Sequence, residues 1–290
     1  MGAILDRTRL VARRLRTDVA HAARELRRWR AGDTPGPDSV LVVLGCQRSG
    51  TTLMTEILAA DPDAKVYPEH SSLSASDRQS HLRLGSYATV ARRIAKSRHP
   101  LVVLKPLVES QHAGTLLDAI PGARGLWMFR HYADVTRSNL ARFGRHNGIR
   151  NLRSIAQRRE HDWRSEAVSE EVAQVVSRFF SETMNPYDAA AIFWWARNAL
   201  FFEQRLGDRE DVRTCRYEEL VADPEGVMRG IYDFANRSWP DNPILTRVCD
   251  SSVGRGRNVD LSHEVRKLCE EMLARLEQAH REGASCASSR

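Results

Sequence analysis

The chain has 290 residues, 42% of them apolar, and a formal net charge of +7, which supports one substantial α/β domain with appendages and excludes a chain disordered throughout. No apolar run approaches the roughly eighteen residues that span a bilayer, and the first residues lack the short apolar stretch of a secretory signal. The five cysteines, Cys46, Cys215, Cys249, Cys269 and Cys286, are scattered and include no C-x-x-C pair, so neither a disulfide framework nor a zinc site is expected, and the reading is a cytoplasmic protein in a reducing compartment.

Residues 1–30 hold nine arginines against Asp6, Asp18 and Glu25. Almost all of the positive excess sits there, and with no recognised binding motif beside it, nucleic acid is not an expected partner. Ala12, Leu15, Val19, Ala22, Leu26 and Trp29 alternate spacings of three and four, the period of an amphipathic helix. The breaker-rich stretch from Ala31 to Pro37 closes this leader, which divides the chain into a basic leader and linker, residues 1–37, and a second unit, residues 38–290. The leader is expected to be a solvated helix packed on the body, with contact to a membrane surface as the alternative.

From Ser39 onward short β-rich runs alternate with helical stretches, the pattern of a parallel sheet flanked by helices. The expected strands are Val40 to Leu44, Leu101 to Leu104, Gly125 to Phe129 and Val212 to Arg216. A long helical region precedes the fourth strand and ends in Pro186 to Leu206, whose Trp194, Trp195, Phe201 and Phe202 read as core. So long an excursion also suits a helical cap over a substrate cleft.

After the first strand comes Gly45-Cys46-Gln47-Arg48-Ser49-Gly50-Thr51-Thr52, then the helical stretch Leu53 to Ala60. Strand, glycine loop and helix start together make an anion site, because the free N–H groups of a helix N-terminus point outward and its dipole favours negative charge. The spacing is that of a P-loop, G-x-x-x-x-G-K-[ST], with Thr51 in place of the lysine that reaches the outer phosphates of ATP or GTP. At the end of the third strand Arg130 stands where an NTPase would place a metal-holding aspartate. The loop therefore reads as a site for a nucleotide phosphate in which arginines replace metal and lysine. Of 44 basic residues only Lys65, Lys96, Lys105 and Lys267 are lysines, which singles out Lys105 at the end of the second expected strand.

Gln47 to Leu53 resembles the 5′-phosphosulfate loop of the sulfotransferases that use 3′-phosphoadenosine 5′-phosphosulfate (PAPS). Phe129 to Ser138 resembles their 3′-phosphate motif, with Arg130 and Ser138 at its two anchor positions. Arg216 to Pro224 is similar to the stretch whose tyrosine, here Tyr217, lies near the adenine, and Ser251 to Val259 resembles the closing loop, with Ser251 and Arg257 at its functional positions. Arg48 and Leu53 stand where the cytosolic small-molecule branch has Lys and Trp, and Lys105-Pro106-Leu107 puts a leucine in the place of that branch's catalytic histidine. The chain resembles the bacterial and tyrosylprotein branch more, in which a glutamate at the distance of Glu69 from Arg48 serves as base.

The resemblance implies an enzyme that moves a sulfuryl group from PAPS to an acceptor hydroxyl, releases PAP and needs no metal. Arg48, Ser49, Gly50, Thr51 and Thr52 would hold the 5′ end; Arg130, Ser138 and Arg257 would hold the 3′-phosphate, and Tyr217 the adenine. Glu69 would take the acceptor proton, with His70, Glu109 and His112 as substitutes, while Lys105 and Ser251 would contact the reacting groups. Carbohydrate, lipid, peptide and metabolite acceptors all present such a hydroxyl. The rival readings are a nucleotide-dependent kinase with a degenerate loop and a binding protein of the same fold without turnover.

Overall fold

The computed structural model describes residues 36–75, 82–240, 244–245, 253–256 and 258–288. The expected leader helix, most of its linker, and both Ser251 and Arg257 lie outside the described residues. Among the described residues no helix is long and apolar enough to cross a membrane.

Strands β1 (Ser39–Gly45), β2 (Ala64–Tyr67), β3 (Leu101–Leu104), β4 (Ala123–Phe129) and β5 (Val212–Arg216) form a parallel sheet in the order β2-β3-β1-β4-β5. Four of these are the expected strands. The addition is β2, a four-residue edge strand that is half-buried and so carries no continuous apolar run. The helices are α1 (Thr51–Ala59), α2 (Tyr87–Ile94), α3 (Ala113–Ala119), α4 (Tyr132–Phe143), α5 (Asn147–Ala156), α6 (Glu170–Phe179), α7 (Pro186–Glu203), α8 (Tyr217–Ala222), α9 (Pro224–Phe234) and α10 (His263–Ser288).

Helices cover both faces of the sheet. Because side chains alternate along a strand, Val40, Val42 and Leu44 of β1 enter one apolar layer with Trp127, Phe129, Trp194 and the helices α4 to α7 and α10. Leu41 and Val43 enter the other with Met54, Ile57 and Leu58 of α1 and Met228 and Ile231 of α9. Burial on both sides is why β1 and β3 read as unbroken apolar runs.

Helix α7 starts at Asn185, whose side chain accepts from the Tyr187 N–H at 2.9 Å, with Pro186 in the first turn where its missing N–H costs nothing. Trp194 and Phe201 are core, as expected, while Trp195 and Phe202 are only partly buried against it; removing a side chain such as Trp194 costs about 3–5 kcal/mol. Polar atoms of the same helix hold the sheet's carboxyl end. Trp194 Nε1 donates to the Arg130 carbonyl at 3.1 Å, and the buried Arg197 guanidinium donates to the Leu107 carbonyl and Gln111 Oε1, each at 2.8 Å. The backbone after β3 and β4 is thereby fixed from below.

Candidate functional site

The carboxyl ends of the five strands lie side by side, the place where open α/β sheets bind ligands. There β1 runs into the glycine loop, β2 ends two residues before Glu69, β3 is followed by Lys105, β4 by Arg130 and β5 by Tyr217. Residues as far apart in sequence as Gly45 and Tyr217 are brought to one edge by topology alone.

In the loop, Gly45 has φ +118° and a Cβ there would sit 2.3 Å from the Met128 carbonyl oxygen, so only glycine passes. Its N–H donates to the Ser110 hydroxyl at 3.0 Å, which ties the end of β1 to the 3₁₀ turn Leu107–His112. Arg48 is held at φ +70°, an uncommon conformation for a residue with a side chain. Gly50, at φ +88°, precedes α1 with no side-chain cap and no acidic residue in the first turn. The first N–H groups of α1 thus have no acceptor of their own making. Ser49 Oγ is buried without a hydrogen-bond partner among the described residues.

Tyr217 is buried beneath this loop. Its ring lies where a Cβ on Gly50 would be, 2.3 Å from the ring carbon, and 4.2 Å under the Arg130 guanidinium. The tyrosine expected beside an adenine therefore packs against the loop glycine and supports Arg130 through a cation–π contact.

On the other side of β1, Lys105 Nζ donates to Thr52 Oγ1 at 3.0 Å and pairs with Glu69 Oε1 at 3.0 Å, the two side chains being 11% and 26% exposed. The Lys105 N–H also donates to the Tyr67 carbonyl at 3.0 Å, so the β2–β3 ladder sets the separation of the two side chains. Glu69, the base that the resemblance implies, is thus met by an ammonium that also touches the glycine loop.

Arg48 Nε donates to Ser138 Oγ of α4 at 3.0 Å, joining the two expected phosphate motifs. Burial first, then the nearby Arg142 and Arg130, push the Arg48 guanidinium below its ordinary value. The Arg142 and Arg130 charges thus disfavour the charge on Arg48, which an anion bound there would offset. Sequence reasoning missed Arg142; its position one helical turn after Ser138 was the available signal. Arg130 is buried, with Asp134 Oδ2 at 3.4 Å from its Nη2.

A sequence model described as Sulfotransferase family matches residues 71–241, more than half of the chain. The chain belongs to the sulfotransferase family. No curated protein matches it in sequence. The sulfotransferase domain from the curacin biosynthetic pathway shares its fold, with TM-score 0.53 at 14% identity over 83% of this chain and 98% of that one. Similarity also extends to the sulfotransferase domain of the Synechococcus PCC 7002 olefin synthase, with TM-score 0.49, 18% identity, 83% of this chain and 96% of that one. Mouse sulfotransferase SULT7A1, solved with PAP, follows with TM-score 0.42, 11% identity, 88% of this chain and 90% of that one.

In this member of the family the three substitute bases fall in different settings. His70 is exposed next to Glu69. Glu109 is buried and committed: it accepts from Tyr87 Oη at 2.6 Å and from the Leu84 N–H at 3.0 Å, and Arg83 stands at 3.6 Å. Burial and this bond push the Tyr87 phenol above its ordinary range. Glu109 therefore anchors residues 83–87, with one hydrogen bond on each of its two carboxylate oxygens. His112 lies 3.4 Å from Glu166, which also pairs with Arg83; burial, then Arg83, pushes its imidazole below the usual value.

Proposed function

We propose that this chain transfers the sulfuryl group of PAPS to a hydroxyl of an acceptor molecule. The observation that carries the reading is the Lys105 side chain, 3.0 Å from both Thr52 of the glycine loop and Glu69: an anion-binding loop, a cation and a carboxylate meet at the sheet's carboxyl end. The Arg48 to Ser138 hydrogen bond, with the Arg142 and Arg130 charges acting on Arg48, supports an additional anionic group at the α4 side, as a nucleotide with both 5′ and 3′ phosphates requires.

Arg48, Ser49, Gly50, Thr51 and Thr52 would hold the 5′-phosphosulfate, and Arg130, Ser138 and Arg257 the 3′-phosphate, with Arg142 adding positive charge and Tyr217 beneath Arg130. When bound, PAPS supplies the sulfuryl group and departs as PAP. Glu69 takes the proton released by the acceptor hydroxyl, which is general-base work on the acceptor side of the loop. As Glu69 becomes neutral, Lys105 loses its counter-charge and its ammonium is available to the sulfuryl oxygens. Arg48 and the first N–H groups of α1 offset the charge that gathers on the leaving phosphate. Positioning and electrostatics then supply most of the rate, as in loose phosphoryl transfer. Glu69 as base follows the bacterial and tyrosylprotein branch, since Leu107 cannot serve.

Incubation with ³⁵S-labelled PAPS and a panel of hydroxyl acceptors, read by intact mass, tests this. A product heavier by one sulfuryl group supports it. Label that stays on PAPS across all acceptor classes while PAP binds favours a binding protein of the same fold.

A further inference from the structure

The carboxylate of Asp134 is buried in the first turn of α4, one turn after Arg130, and both of its oxygens are used on a segment about 120 residues away. Oδ2 accepts the Gly254 N–H at 2.8 Å, and Oδ1 accepts the Gly256 N–H at 2.6 Å. The residue between them is held by the same helix, because Arg137 donates to the Arg255 carbonyl. Gly256 is pressed onto α4 so closely that a Cβ would lie 2.2 Å from the Ala133 carbonyl carbon. Glycine in this loop is therefore a condition of close contact with α4 and not only a source of freedom to move.

A carboxylate 3.4 Å from Arg130 is an odd neighbour for a guanidinium that is to hold a phosphate, since it competes for the same cation. Two charge-assisted bonds to loop N–H groups give that charge a different use. We infer that Asp134 is the positioning residue that locks the Gly254–Gly256 turn onto α4 beside Arg130, and that this lock sets selectivity for a nucleotide carrying a 3′-phosphate. The inference rests on the reading of Arg130 as the 3′-phosphate residue. The lock couples three parts: the guanidinium, the helix start and the turn, each held in register with the others by one side chain.

Two substitutions reach the lock from opposite sides. Asp134→Asn turns one acceptor into a donor facing a glycine N–H and removes the ion pair. Gly256→Ala leaves Asp134 and Arg130 intact and pushes the turn off α4. The experiment is calorimetric titration of the full-length protein and its variants with PAP and with 5′-AMP, with folding checked by circular dichroism. Each single variant is expected to weaken PAP by about tenfold or more and 5′-AMP by no more than about twofold, and the double variant to be no worse than the weaker-binding single, as for two changes that break one contact.

Tighter PAP binding by Asp134→Asn would mean the carboxylate is only a counter-charge to Arg130 and would overturn the inference. Equal losses for both nucleotides, or additive losses in the double variant, would overturn it as well. Arg130→Ala is the control for the underlying reading. If it collapses the preference for PAP while the two lock variants keep it, the lock alone fails. If Arg130→Ala leaves the preference unchanged, the assignment of Arg130 fails and takes the lock with it.

Discussion

Glu69 and Lys105 follow two neighbouring parallel strands and meet at 3.0 Å, with the ammonium also 3.0 Å from Thr52. The pair thus stands against the loop that would carry the reacting sulfuryl group. Replacing Glu69 by Gln keeps size and some hydrogen bonding but removes the proton acceptor. Turnover is expected to fall by about 10²- to 10⁴-fold, while PAP affinity stays within about twofold, because Glu69 reaches the loop only through Lys105, which the change leaves in place. Steady-state kinetics with a true acceptor, beside PAP titration, check both halves.

Arg48→Ala should behave differently. Its side chain bonds Ser138 and feels the Arg142 and Arg130 charges, so its removal is expected to weaken PAP by roughly ten- to a hundredfold as well as to suppress turnover. Loss of turnover with unchanged PAP affinity would move Arg48 away from the leaving phosphate.

The sheet was largely legible in the sequence, and the reasons are physical. β1, β3 and β4 are covered on both faces, so Val40 to Leu44, Leu101 to Leu104 and Leu126 to Phe129 show as apolar runs with little competing pattern. β2 escaped notice because an edge strand of four residues, three half-buried and Lys65 exposed, looks like loop. The glycine loop and Arg130 were visible from local spacing. The contacts that organise them were not: Lys105 with Glu69, Tyr217 under Gly50 and Asp134 with Gly256 join residues far apart in sequence. Arg142 was hidden by abundance, since arginine dominates the basic residues of this chain.

Glu109 is expected to be a structural anchor. Glu109→Ala would leave the Leu84 N–H and the Tyr87 hydroxyl without their acceptor, at a cost of about 3 kcal/mol to stability. Urea unfolding measures it, and Tyr87→Phe should cost only about 1 kcal/mol. If Glu109→Gln instead keeps full stability and abolishes turnover, the base assignment passes from Glu69 to Glu109.

The start of α4 carries a pH dependence. His131 caps the helix by accepting the Ala133 N–H on Nδ1 at 3.2 Å, a role open only to the neutral ring. Burial, against the opposing pull of Glu218 and Asp134, holds its imidazole below the usual value of 6.5. The unfolded chain then binds more protons than the folded one around that pH. The contribution to stability is complete above the unfolded value and is lost as pH falls through it toward the folded value. His131→Asn keeps a capping acceptor that does not titrate. The melting temperature of the variant should therefore fall less than that of the wild type between pH 7 and pH 5; equal falls would show that His131 does not carry the effect.

The most direct test of the account is calorimetric titration of PAP in the presence of a metal chelator, set beside ATP with magnesium. The glycine loop lacks the lysine of ATP-binding loops, and Arg130 stands in the place of a metal-holding acid. Tight, metal-independent binding of PAP, with ATP and magnesium much weaker, is the expected result. Tighter binding of ATP with magnesium than of PAP would contradict the assignment of PAPS as donor and return the chain to the kinase reading.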